Sequence, residues 1–334
     1  MYPDKNFVRA VYCLNVCVIV IVVTMMLAVP LIVFPSKVDA WFRSPAIEQP
    51  VKDSIVSGMA YWQAPDSTKI SQDLQGDLIR YGRELVAHTA IYLGPKGTVM
   101  QISNGMNCQN CHLKSGKKNF GNNYSAVAST YPKYRARSGG IETVEKRVND
   151  CIERSLNGMP LPLDSWEMKA IKSYILWVGS NVQKNHIPKG SGLKTIPFLD
   201  RAADPVKGKI VFEKHCVSCH GKNGEGEKKK DGIEWLNPPL WGDESYNTGA
   251  GIFRLSRFAG YVKANMPNGA TFEKPILTDE EAWDVAAYVN SLPRPKKSFA
   301  NDWPDISEKP FDHPFGPYAD TLSERRHKYG PFVK

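Results

Sequence analysis

The chain has 334 residues, seven cysteines, a formal charge of +9 and 10% aromatic residues, a length that allows about two domains of ordinary size. With 42% hydrophobic and 23% charged residues, the composition excludes dominant disorder and a small disulfide-stapled scaffold. An odd cysteine count leaves at least one thiol outside any set of pairs.

From Ala10 to Phe34 the chain runs 25 residues without a charge, broken only by Asn15, Thr24 and Pro30. That is enough to cross a hydrocarbon core of about 30 Å. Lys5 and Arg9 precede it, so the positive-inside bias puts residues 1–9 in the cytoplasm and everything after Pro35 outside. The alternative is a cleaved secretory signal, with Val38-Asp39-Ala40 as the small-x-small site. The apolar run exceeds the roughly 7 to 15 residues of a signal core, which favours a retained, single-pass anchor in the inner (cytoplasmic) membrane. Either way the body is exported. Cys13 and Cys17, four apart in this segment, share a helix face and read as small apolar packing residues.

Residues 35–70 read as a linker and N-terminal extension, and residues 71–187 as a first domain. One predicted helix there runs through Leu78, Tyr81, Gly82 and Leu85. Cys108-Gln109-Asn110-Cys111-His112 then has the C-x-x-C-H spacing that attaches a c-type haem. The two thiols add across the haem vinyl groups, and the adjacent imidazole reaches the iron as proximal ligand. Residues Ile141 to Leu156 read as a helix ending at Asn157-Gly158, with Val144, Val148, Cys151 and Ile152 on one apolar face. The last helix of this domain is predicted to start at Asp164, with Glu167, and to carry Ile171, Tyr174 and Ile175.

Residues 188–204, opening on Pro188-Lys-Gly-Ser-Gly, read as a linker, and 205–294 as a second domain. Asp204-Pro205 is an N-cap followed by proline at the first helical position, and Gly208 and Phe212 share a face of that helix. Cys216-Val217-Ser218-Cys219-His220 is a second haem motif, 108 residues after the first. Gly221 to Gly226 is a loop that lacks the Lys-Ser/Thr of a phosphate loop. Thr278 and Glu281 form a capping box for a helix carrying Trp283, Ala286, Ala287 and Tyr288. Two helices bracketing C-x-x-C-H, twice, predict an all-α body of two tandem cytochrome c-like haem domains after the membrane helix, with two covalently bound haem c groups. A zinc site is a poor alternative, since each motif ends in its own histidine and the copies are far apart. Residues 295–334 hold prolines and aromatics that predict an extended tail packed on the body.

The sixth iron ligands separate electron carriers from catalysts. For the second haem, Met266 in Ala-Asn-Met-Pro, 46 residues after His220, is the candidate thioether. For the first, the duplication offers Met159-Pro160, with Cys151 as competitor. Cys151 is the one thiol outside the membrane segment that no haem thioether uses, and beside a sixth-ligand position a thiol points to coordination or catalysis. Arg147 and Arg154 flank it on the same helix, and Arg135 and Arg137 precede that helix. Guanidiniums favour a thiolate and offer forked donors to an oxyanion, so the combination describes a pocket for a small, soft sulfur anion.

Several stretches carry a resemblance: Tyr92 to Gly97, Asn107 to Leu113, Tyr134-Arg-Ala-Arg-Ser138, Arg147 to Gly158, Lys263-Ala-Asn-Met266-Pro and His327 to Phe332. With these the chain resembles the thiosulfate dehydrogenase family, dihaem cytochromes that couple two thiosulfates to tetrathionate, some members running in reverse. The resemblance implies His112/Cys151 ligation of a catalytic first haem, active-site roles for Arg137 and Arg147, and a His/Met or His/Lys second haem. Asn265 stands where some members have a lysine beside the methionine, so His220/Met266 is expected here. Electrons are expected to leave through the second haem to a cytochrome c or membrane acceptor. The alternatives are a membrane-anchored electron-transfer subunit with two His/Met haems, and a component of a sulfur-oxidising multienzyme complex. Nucleic acid is not an expected partner of an exported haem protein. Lys5 and Arg9 against Asp4 leave +8 beyond the anchor, and four haem propionates would reduce this to about +4, a modest field for drawing in a dianion.

Overall fold

The structure, a computed structural model, describes residues 60–332. The expected anchor at 10–34, with Cys13 and Cys17, and the alternative cleavage site at Val38 to Ala40 lie outside the described residues. Among the described residues, no helix is long and apolar enough to cross a membrane.

In chain order the structure forms α1 (Leu74–Ala87), α2 (Thr89–Leu93), α3 (Cys108–Cys111), α4 (Val127–Thr130), a hairpin of β1 (Lys133–Arg135) and β2 (Gly140–Glu142), α5 (Val144–Ser155) and α6 (Trp166–Val178). There follow α7 (Pro205–His215), α8 (Val217–His220), a hairpin of β3 (Glu227–Lys228) and β4 (Trp235–Asn237), α9 (Leu255–Asn265), α10 (Asp279–Ser291) and, in the tail, α11 (Glu324–Tyr329). The body is mostly helical, as expected, with two short antiparallel hairpins added.

The internal duplication is visible in two helix crossings. At Gly82 of α1 an added Cβ would lie 1.9 Å from the Ala170 carbonyl oxygen and 2.8 Å from Tyr174 Cβ of α6. At Gly208 of α7 the same atom would lie 1.9 Å from the Asp284 carbonyl oxygen and 2.9 Å from Tyr288 Cβ of α10. In both pairs a glycine faces residues i and i+4 of the partner, so two helices touch backbone to backbone and only glycine fits. The entry caps agree with the sequence. The Asp204 carboxylate accepts from Val206 N and Lys207 N ahead of Pro205, and Thr278 and Glu281 form a reciprocal box, each cap contributing about 1 kcal/mol.

Two expected boundaries move. The helix expected over 141–156 begins at Val144, because Thr143 caps it by accepting from Lys146 N. Ile141 lies instead in β2, opposite Tyr134, and is exposed. The helix expected to start at Asp164 begins one residue later: Ser165 accepts from Met168 N and leaves Asp164 exposed outside the turn.

The core does not divide at the linker. Leu85, Leu93, Met106, Met168 and Tyr174 form the first cluster, and Trp235, Tyr246 and Phe253, from beyond the second haem motif, are buried in it as well. The second cluster is built on Phe212, Phe258, Trp283 and Ala286. The tail buries Trp303, Asp312, His313 and His327, and Asp312 is held by Arg254 at 2.6 Å and by Ser256 N at 3.2 Å.

Candidate functional site

Each C-x-x-C-H motif is one helical turn that brings both thiols to one side, three residues apart. The Asn110 side chain accepts from Asn107 N at 2.7 Å and holds the start of the first turn, a cap invisible in the motif itself. His112 donates from Nδ1 to the Asn122 carbonyl, and His220 donates from Nδ1 to the Pro238 carbonyl at 2.9 Å. A carbonyl can only accept, so the ring proton sits on Nδ1 and each Nε2 keeps its lone pair for a metal. Burial lowers both imidazoles, His112 to about 4, so both stay neutral, as ligation requires. The donor set therefore fits a c-type haem at each motif. Among the described residues no group of three or more His, Cys, Asp or Glu is placed to hold a single metal ion.

Cys151 is half-buried in the middle of α5. Burial pushes the Cys111 thiol up to about 12 and the Cys108 thiol up to about 11, and the charge of Cys151 adds to both shifts, so Cys151 is within electrostatic reach of both thiols. The Tyr124 ring lies 4.6 Å from the His112 ring and is raised by burial and then by these same sulfurs. Arg147, one turn before Cys151, is held well above the usual arginine range, first by its attraction to Cys151 and against the opposing effect of its burial.

Met159, the alternative ligand offered by the duplication, is 61% exposed, with its backbone N bonded to the Ile102 carbonyl. It lies on the surface while Cys151 is half-buried. In the second half Met266 closes α9, its side chain half-buried against the second core. Lys263 is engaged elsewhere, donating to the Leu277 carbonyl at 2.7 Å and pairing with Asp279 at 2.7 Å.

A second group of arginines adjoins Cys151 and Arg147. Arg137 donates to the Gly249 carbonyl at 2.9 Å, and its guanidinium lies 5.3 Å over the Trp303 ring. Burial lowers it to about 10, with Arg154 and then Arg147 adding repulsion against the pull of Asp302. Arg154 forms a fork to both Asp302 oxygens at 2.9 Å, and Asp302 is 3.9 Å from Arg137 Nε. One carboxylate thus serves two buried arginines and fixes their side chains. Sequence reasoning missed Asp302 because it sits in the tail, 148 residues from Arg154, where only the neighbouring Trp303 carried a signal.

The second half also grips the first motif. Tyr261 of α9 donates to the Asn110 carbonyl at 3.1 Å, within C-x-x-C-H, and Asn265 donates to the Phe120 carbonyl at 3.0 Å. Glu234 accepts from Asn107, His88 and Lys229, each at 2.8 Å. The element that carries Met266 is therefore bonded directly to the first attachment turn.

A family model described as cytochrome c matches residues 205–293, and one described as SoxA/TsdA, cytochrome c domain, matches residues 99–182. The chain is 36% identical over 252 residues to a thiosulfate dehydrogenase of Psychrobacter arcticus, covering 75% of this chain and 73% of that one. It is 37% identical over 235 residues to the thiosulfate dehydrogenase of Allochromatium vinosum, covering 69% and 83%. Among solved structures it is similar to thiosulfate dehydrogenase (TsdBA) from Marichromatium purpuratum in its as-isolated form, with a TM-score of 0.65 and 30% identity over 71% of this chain. The chain spans 50% of the length of that solved chain. Two cytochrome c domains, each with a complete attachment motif, carry two covalently bound c-type haems with iron.

Proposed function

Since the chain belongs to the thiosulfate dehydrogenase family, we propose that it joins two thiosulfates into tetrathionate, or runs that reaction in reverse, at the pocket around Cys151. The observation that supports this reading is that Cys151 is electrostatically coupled to Cys111 and to Arg147 while Met159 lies exposed at the surface. His112 and Cys151 are the proposed ligands of the first iron, and His220 and Met266 those of the second. When bound, the two haems supply one-electron acceptors that pass charge from the site to an outside cytochrome c or membrane acceptor.

The task for the protein residues is set by charge. Two dianions about 4 Å apart repel by about 4 kcal/mol even at the dielectric constant of water, and by more in a partly dry pocket. Arg147 and the Arg137/Arg154 pair supply fixed positive charge that offsets this repulsion without reorganising during the reaction. The Cys151 thiolate bonds to the sulfane sulfur of one thiosulfate, two electrons leave, and an S-thiosulfonate adduct remains on the protein. A second thiosulfate attacks the sulfane sulfur of this adduct, releasing tetrathionate and restoring the Cys151 thiolate. Three negative charges enter the first step as thiolate and thiosulfate, and one remains after two electrons depart. The second step transfers no electrons. Asp302 does not touch the sulfur anion in this scheme; it holds Arg137 and Arg154 in place.

The haem body sits on the extracytoplasmic side in this reading, tethered through residues 10–34. The test is assay of the isolated holoprotein on thiosulfate and on tetrathionate, with Cys151→Gly alongside. Loss of turnover in both directions with both haems still attached is expected; retained turnover in the variant contradicts the covalent route. An inactive wild-type protein that still exchanges electrons would instead be a carrier.

A further inference from the structure

Arg294 follows α10 by three residues and is buried, with 8% of its surface exposed. Its Nη2 donates to the Val289 carbonyl at 2.6 Å, but Nε and Nη1 have no hydrogen-bond partner, and no carboxylate among the described residues pairs with it. The guanidinium lies flat against aromatic surface, 4.2 Å from the Tyr246 ring centre and 5.2 Å from that of Phe253. The surrounding polar groups are already matched: Tyr246 donates to Asn290 at 2.9 Å, and Asn290 donates to the Phe253 carbonyl at 3.0 Å. A buried cation with two unused donors is costly unless an anion completes it.

The surroundings say which kind of anion. Tyr246 and Phe253 belong to the first core, against which Cys108 of the first motif packs, although they follow the second attachment motif; burial raises the Tyr246 hydroxyl against the pull of Arg294, and Cys111 adds a smaller push. Arg294 lies three residues beyond the end of the helix whose Asp284 and Tyr288 cross Gly208 just ahead of the second motif. The two free donors lie against the segment from Tyr246 to Phe253, whose Asn247 N also bonds the Arg154 carbonyl and whose Gly249 carbonyl takes Arg137, while the charge of Arg154 is already matched by Asp302. Each haem brings two carboxylates of its own, and a planar fork matches a carboxylate with two parallel donors.

We propose that Arg294 binds a haem propionate, with Nε and Nη1 as the paired donors and Tyr246 and Phe253 as the surface that holds the guanidinium flat. This rests on both haems being loaded and is independent of the thiosulfate reading, so a failed thiosulfate assay would leave it standing. A fixed positive charge beside a haem favours its reduced form. Its loss is expected to lower that haem's potential.

The experiment is a spectroelectrochemical titration of the dihaem holoprotein carrying Arg294→Gln and Arg294→Lys. The expected result is a negative shift in one of the two potentials for Arg294→Gln, the other staying in place, with Arg294→Lys remaining close to wild type. Which potential moves identifies whose propionate is bound. Two unchanged potentials in Arg294→Gln, or an equal displacement by Lys and Gln, overturn the proposal. If neither variant yields dihaem protein, the crystal structure of the wild-type holoprotein decides. A propionate oxygen within hydrogen-bond distance of Nε or Nη1 supports the proposal; donors that meet only water or protein overturn it.

Discussion

The two haem domains share a frame and differ in the sulfur residue each offers as the proposed second iron ligand. In both, a glycine lets the first helix touch the last, a one-turn C-x-x-C-H follows, and a backbone carbonyl fixes the histidine tautomer. Across from that turn the second domain presents Met266 at the end of α9, with a nearby lysine tied to Asp279. The first presents Cys151 in mid-helix, with Arg147 one turn away and two further arginines held by a carboxylate from the tail. The frame that binds a haem and the element that gives it chemistry are thus separable. The attachment side repeats, and in the proposed function the opposite side separates relaying electrons from making a sulfur bond.

Exchanging the sulfur of one domain for that of the other should break this contrast most strongly. Cys151→Met supplies a thioether but no nucleophile, and the expected loss of thiosulfate turnover is about 10⁴-fold or more, with both haems retained by mass spectrometry. Next in size, Arg147→Met removes the cation beside the thiolate. A fall of about 10² to 10³-fold in kcat/KM for thiosulfate is expected, comparable to losing one preorganised donor for a developing charge. Asp302→Ala leaves Arg137 and Arg154 buried without their shared carboxylate. Chemical denaturation should show a loss of about 3 kcal/mol. Gly82→Ala and Gly208→Ala each force a methyl group onto a carbonyl oxygen of the partner helix, and each should lose about 1 to 3 kcal/mol. Equal losses at the two crossings would sharpen the duplication; a tolerated alanine at one of them would show that the frame is shared only in outline.

The repeated half of the design was legible in the sequence because it is local. C-x-x-C-H, Asp204-Pro205 and the Thr278/Glu281 box each state their structure within a few residues, and the structure has them. Boundaries failed where two signals competed. Ile141 fits the apolar period of α5, but Thr143 is the better cap and the hairpin takes the isoleucine. Spacing alone offers both Cys151 and Met159, since both follow the first motif; Met159 is exposed, which supports the reading with Cys151. Asp302, Glu234 and Tyr261 were beyond reach for a different reason. Their partners lie 148, 127 and 151 residues away in the chain, and no local pattern reports such contacts. The tandem organisation was readable, but the way residues 235–253 and the tail complete the first site was not.

The central claim is that the first iron is faced by Cys151 and the second by Met266. Low-temperature electron paramagnetic resonance of the fully oxidised holoprotein, recorded for wild type, Cys151→Ala and Met159→Ala, tests it most directly. The account predicts a thiolate-type low-spin signal in the wild type, its disappearance in Cys151→Ala and its persistence in Met159→Ala, with the second haem's signal the same in all three. A wild-type spectrum without the thiolate signal, or one altered by Met159→Ala and not by Cys151→Ala, would contradict it.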